Sequence, residues 1–169
     1  MQNERASKSS FVAEPGTTRV VITHMFDAPP AVIFRMYSDP KILPQWWGPG
    51  RLTTVVEKME LKKGGVWRFV QRDVEGNLFS FNGVYHEVLP PQRIVDTFEF
   101  EGMPGHVSLE TVTFEEVDGK TKVTTVMVFQ SVEDRDASIE HGMKDGVLES
   151  AERFRALLLK EGAPTTRRR

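Results

Sequence analysis

Between residues 52 and 130 short apolar segments alternate with turn-forming residues, and from about Val132 the apolar period changes from 2 to 3.6 residues. That switch limits the chain to an antiparallel sheet followed by a helix. Segments near Leu52–Leu61, Val66–Asp73, Phe79–Leu89, Arg93–Phe100, Val107–Glu116 and Lys122–Gln130 read as strands. They are separated by Lys63-Gly64-Gly65, Glu75-Gly76-Asn77, Pro90-Pro91, Gly102-Met103-Pro104-Gly105 and Asp118-Gly119-Lys120. Turns this short join neighbouring antiparallel strands.

A seventh strand, Thr18–Phe26, precedes this block. Asp27 followed by Pro29-Pro30 marks a helix start, and the helix runs through Ala31–Tyr37. Asp39-Pro40 ends it and opens a second short helix reaching Trp46. After Val132 one long helix extends to Glu161, with Ile139, Met143, Val147, Ala151, Phe154, Leu157 and Leu158 along one stripe. Gly142 and Gly146 flank that stripe. They allow a close approach, a bend, or room for something other than protein.

The expected fold is therefore α+β. A strongly curved seven-stranded antiparallel sheet carries two short helices after its first strand and one long C-terminal helix over its face. A curved sheet gripping a single helix encloses a cavity. Residues 1–16 read as a flexible N-terminal segment, 17–161 as a single domain and 162–169 as a flexible tail ending in three arginines.

Charge and composition narrow the function. With a net charge of −2 there is no basic field to attract nucleic acid or anionic membrane. The lack of cysteine removes disulfides, thiol nucleophiles and thiolate metal sites, and accords with a reducing cytoplasm. No apolar run approaches the roughly 20 residues of a membrane span. No Gly-x-Ser-x-Gly elbow or Gly-x-Gly-x-x-Gly loop occurs, and no cofactor is expected.

Aromatic residues carry the pocket signal. Trp67 and Phe69 share one strand face, Phe79, Phe81 and Tyr85 another, and Phe98 and Phe100 a third, with Gly83 opening a gap between Phe81 and Tyr85. With Met143 and Val147 they make an apolar wall facing the helix. Trp46 and Trp47 stand side by side in a Pro/Gly-rich turn, one expected inside and the other over the rim. The expected cavity residues are Trp46, Trp47, Trp67, Phe69, Phe81, Tyr85, Phe98, Met143 and Val147.

The ionisable candidates are fewer. His24, His86, His106 and His141 have no metal-ligand spacing. His24 and His86 could meet across strands. His106 follows the Gly102–Gly105 loop, where it suits a general base at a cavity mouth or a plain strand-start histidine. Asp96 has the parity of Phe98, so it points to the apolar face, where burial raises its pKa unless Arg68, Arg72 or Arg93 pairs with it.

Several motifs recur in a shared order. They are Phe26-Asp27-Ala28-Pro29-Pro30, Ser38-Asp39-Pro40, Gln45-Trp46-Trp47-Gly48-Pro49, Leu61-Lys62-Lys63-Gly64-Gly65, Gly83-Val84-Tyr85-His86-Glu87-Val88, Pro90-Pro91-Gln92-Arg93-Ile94-Val95, Val112-Thr113-Phe114, Thr121-Lys122-Val123-Thr124, and Gly142-Met143 with Gly146. In these the chain resembles the START-like, or helix-grip (SRPBCC), superfamily typified by the major birch pollen allergen. Within it the chain is similar to bacterial single-domain proteins named for the C-terminal domain of the heat-shock-protein-90 ATPase activator. The resemblance covers roughly residues 18 to 160. It implies a cavity for a small hydrophobic or lipid-like ligand. A minority of the superfamily are polyketide cyclases or hydrolases, and the family name implies a chaperone partner as a third reading. It supplies no catalytic motif. An open sheet edge also allows a homodimer.

Overall fold

The computed structural model describes residues 8–161. The expected tail, 162–169, and the first seven residues of the expected N-terminal segment lie outside the described residues. The elements are β1 (Ser9–Val12), β2 (Arg19–Phe26), α1 (Pro30–Ser38), a 3-10 turn (Leu43–Gln45), β3 (Thr53–Met59), β4 (Val66–Arg72), β5 (Leu78–Leu89), β6 (Arg93–Phe100), β7 (Val107–Val117), β8 (Lys120–Val128), α2 (Val132–Glu140) and α3 (Met143–Glu161). The strands form one sheet in the order β1-β2-β8-β7-β6-β5-β4-β3, antiparallel at every pairing.

All seven expected strands form, within two residues of their expected ends. The count itself is corrected to eight. Ser9–Val12 pairs with β2, inside the segment read as a lead-in. A four-residue edge strand beginning Ser-Ser carries too little pattern to stand out from a polar terminus.

The helices differ from expectation in two places. The second short helix is only the turn Leu43–Gln45, because Pro44 lacks the N–H that a continuing helix needs there and its ring crowds the carbonyl four residues back. The long C-terminal helix is broken at Gly142, whose φ of +94° only glycine adopts freely. Its first part, α2, is capped by Ser131, whose hydroxyl accepts from the Asp134 amide at 3.0 Å. Asp27 does not cap α1: it pairs with Lys120 at 3.2 Å, and Pro29 occupies the cap position.

Eight strands at about 4.8 Å spacing would make a flat sheet roughly 34 Å wide, against a helix about 10 Å across. Yet both ends of this sheet reach α3. At one end Arg155 donates to the Lys8 carbonyl (2.7 Å) and the Ser9 hydroxyl (2.8 Å) beside β1, and its guanidinium lies 5.2 Å from the Phe26 ring centroid. At the other end the turn after Trp46 sits between β4 and α3. Ser150 accepts from the Gly48 amide (2.9 Å), Arg153 donates to the Gly48 carbonyl (2.7 Å), and a Cβ on Gly48 would run into Gln71. The sheet is therefore curved around the helix.

The main core lies where α1 and α3 meet the inner face. Phe154 is fully buried, with ring centroids 4.3 Å from Phe26 and 5.0 Å from Trp46. Phe34 and Tyr37 of α1 each pack edge-on against Phe114 at 5.2 Å. Toward the start of α3 the packing gives way to open space.

Candidate functional site

Between the inner sheet face and the α2–α3 segment lies a cavity of about 900 Å³. All nine residues expected on its wall are there: Trp46, Trp47, Trp67, Phe69, Phe81, Tyr85, Phe98, Met143 and Val147. The space persists where Gly142 precedes α3 and Gly146 stands in its first turn. A Cβ on Gly142 or Gly146 would meet no atom within 4 Å, so both glycines leave room rather than serving a close approach.

The two adjacent tryptophans divide their roles. Trp46 is buried, and its indole N–H donates to the Met36 carbonyl at 2.9 Å. That bond satisfies the polar atom and locks the ring into the core. Trp47 is half-buried and stands edge-on to Phe69 (5.2 Å) and Phe81 (5.4 Å), forming cavity wall. Gly83 also departs from expectation. Its missing side chain leaves no gap, because the Trp67 ring lies across it, with Nε1 only 2.4 Å from where a Cβ would stand.

Deeper in, the wall changes character. Asp96 on β6 and Glu110 on β7 are direct cross-strand partners, and both line the cavity. Asp96 points inward, as its parity with Phe98 predicts, and is 9% exposed. None of the expected cations reaches it. Arg68 pairs with Glu101 (2.8 Å) and with Glu57 on the outer face, and Arg93 pairs with Glu87 (2.6 Å). Burial and the neighbouring Glu110 instead push the Asp96 carboxyl well above its ordinary range. Burial pushes Glu110 up to about 7. The two are close enough to share a proton, with Asp96 as its donor. Trp67 Nε1–H lies near enough to favour the Asp96 anion, but it makes no hydrogen bond of good geometry. Trp67 Nε1, Asp96 Oδ1 and Ser108 Oγ are all buried without a partner.

The weak catalytic candidates are not brought together. His86 is exposed on β5 and lies off the cavity wall. His106 stands at the mouth, its Nδ1 2.9 Å from Asp134 Oδ1, tying the β6–β7 loop to α2. His24 and Asp96 both line the cavity. His24 and His86 do not meet: β2 and β5 are separated by β8, β7 and β6. The Ser9 hydroxyl accepts from Arg155 at 2.8 Å and lies in hydrogen-bond contact with His24 Nδ1 at 2.7 Å. Burial, and then the Arg155 charge, lower His24 to about 4. Among the described residues no group of three or more His, Asp or Glu side chains could hold a metal, and no helix is long and apolar enough to cross a membrane.

Glu110, Tyr37 and Ser108 complete the polar end and were not singled out by sequence reasoning. Glu110 and Ser108 do carry a signal, since they share the parity of Val112 and Phe114 on β7. Tyr37 carries none beyond its place on α1. Burial raises the pKa of both cavity phenols, with Glu110 adding to the effect at Tyr37 and Asp96 at Tyr85.

A curved antiparallel sheet closed around a C-terminal helix, with a cavity between them, defines a helix-grip protein. A family model described as "Activator of Hsp90 ATPase homolog 1-like protein" matches residues 27–159, and the chain belongs to this family. Solved structures with the same fold include protein Ms6760 from Mycobacterium smegmatis, which is 26% identical, covers 88% of this chain and 95% of its own, and has a TM-score of 0.78. A Rhodobacter sphaeroides protein is 22% identical over 90% of this chain and 99% of its own, at a TM-score of 0.83. An Arthrobacter aurescens protein is 24% identical over 89% and 91%, also at 0.83. A comparison with functionally curated proteins returned no match.

Proposed function

We propose that the protein binds a small, largely apolar molecule in the cavity between the sheet and α3. The observation that carries this reading is an aromatic-walled space of about 900 Å³ bounded on the helix side by Gly142 and Gly146, which leave it unfilled. Its size lies within the range of pockets that enclose small molecules.

The cyclase- or hydrolase-type reading asks for a histidine that accepts a proton beside a carboxylate. The His106–Asp134 contact at 2.9 Å supplies such a pair at the cavity mouth, whereas His24 is poorly suited to the role. Burial and the Arg155 charge both oppose the imidazolium that proton transfer to His24 would create. A chaperone-linked module rests on the family description alone.

Binding is tested by thermal unfolding with increasing n-decanol. A ligand that binds only the folded chain raises the melting temperature with concentration. Unchanged melting over a range that saturates comparable pockets would contradict the proposal.

A further inference from the structure

We propose that the cavity selects an amphipathic amine, whose cationic nitrogen sits between the Asp96 and Glu110 carboxyls while its apolar body lies against the aromatic wall. This rests on the cavity being a binding site and names the class of ligand it takes.

Three observations converge. The first is charge. The wall carries five carboxyls (Asp96, Glu110, Asp134, Asp145, Glu149) against one permanent cation, Arg51. Asp134 is occupied by His106 and Glu149 by the Gly50 amide, but the inner pair has no basic partner among the described residues. Two neighbouring carboxyls with no cation cannot both ionise, so the empty cavity holds a proton between them. An ammonium there replaces that proton with a full counter-charge and several N–H donors.

The second observation lies outside the acid pair. Ser108 is 3% exposed and its Oγ has no partner, although it lines the same cavity and shares the inward face of β7 with Glu110. A buried hydroxyl left unpaired costs stability unless something else occupies the site. It can accept the third N–H of an ammonium. Trp67 Nε1–H, 3% exposed and also unpaired, gains a partner once Asp96 ionises.

The third is the surrounding ring system. Tyr85 is the direct cross-strand neighbour of Asp96, and Phe98 lies two residues along the same face. Trp67 stacks 4.6 Å from Phe69 and 5.9 Å from Phe98. Ring faces around a desolvated cation add attraction that a neutral group does not receive. The other ionisable groups of this region offer no competing cation. Tyr37 on α1 and Tyr85 on β5 are held as neutral phenols, His24 on β2 is held neutral, and Arg155 on α3 is engaged by β1.

The test is displacement of N-phenyl-1-naphthylamine, a neutral fluorescent probe, by n-decylamine, n-decanol and decanoic acid, at about pH 8. The three competitors share a chain and differ in head group. The proposal expects decylamine to bind at least about tenfold tighter than decanol, and decanoic acid weakest. It also expects Glu110→Gln to cut the amine-to-alcohol preference severalfold. Equal binding of amine and alcohol by the wild type, or preference for the acid, overturns the amine assignment and leaves the cavity reading intact. Failure of all three competitors and of the probe itself overturns both. The wild-type comparison decides the matter even if the variant does not fold.

Discussion

Asp96 and Glu110 face each other across β6 and β7 with both carboxyls turned into the cavity, so the fold keeps a shared proton in its interior. Glu110 titrates near 7 in the folded chain and near 4.5 when unfolded. Folding favours its protonated form. That contribution is full below about pH 4.5 and lost as the pH rises through about 7. Glu110→Gln removes the Glu110 share of that loss. Relative to the wild type, the variant should gain stability between about pH 5 and pH 7. Urea unfolding at both pH values checks this, and a difference that does not change with pH would contradict it.

His24 works in the opposite direction. It titrates near 4 when folded against 6.5 when unfolded, so folding favours its neutral form. Its contribution is full above about pH 6.5 and lost as the pH falls toward 4. His24→Gln should lose less stability than the wild type on acidification through that window, by on the order of 2 kcal/mol. Parallel urea series on the two proteins would show it, and parallel acid limbs would refute it.

Two glycines should respond to alanine with opposite signs. Gly146 is helical and its Cβ would meet nothing, so Gly146→Ala stabilises by about 0.5–1 kcal/mol. A Cβ on Gly83 would stand 1.9 Å from the Thr97 carbonyl oxygen and 2.4 Å from Trp67 Nε1. Backbone cannot yield there as a flexible side chain can, and Gly83→Ala should cost about 2 kcal/mol or more. Thermal unfolding of the pair is the check.

The adjacent tryptophans should separate stability from binding. Trp46→Ala opens the core and orphans the Met36 carbonyl bond, costing about 3–5 kcal/mol. Trp47 is wall, touching Phe69 and Phe81 at its ring edge. Trp47→Ala should therefore cost less stability and weaken probe binding severalfold in a protein that still folds. Equal losses of stability in the two variants would remove the distinction.

Much of this arrangement is legible in the chain. Period-two parity alone turns Trp67, Phe69, Phe81, Phe98 and Asp96 to one side, and the structure keeps all five there. Glu110 obeys the same rule, but Glu115 and Glu116 nearby make its strand look solvated. What parity cannot supply is contact between distant segments. Ser9 meets His24 only because β1 pairs with β2, and Arg155 reaches both from the far end of the chain. The break at Gly142 is only half visible, since the glycine allows a bend without requiring one. The apolar stripe runs through it without interruption, and only the backbone angle marks the end of α2.

The central claim is that space left open by α3 is space for a ligand. The most direct measurement is fluorescence titration of N-phenyl-1-naphthylamine into the wild type and Gly146→Phe side by side. The phenyl group has open room at that position and projects from a residue on the cavity wall. Saturable binding of one probe per wild-type chain, weakened at least about tenfold in a variant whose melting temperature is preserved, is the expected result. Absence of saturable binding in the wild type, or superimposable isotherms for the two proteins, would contradict it.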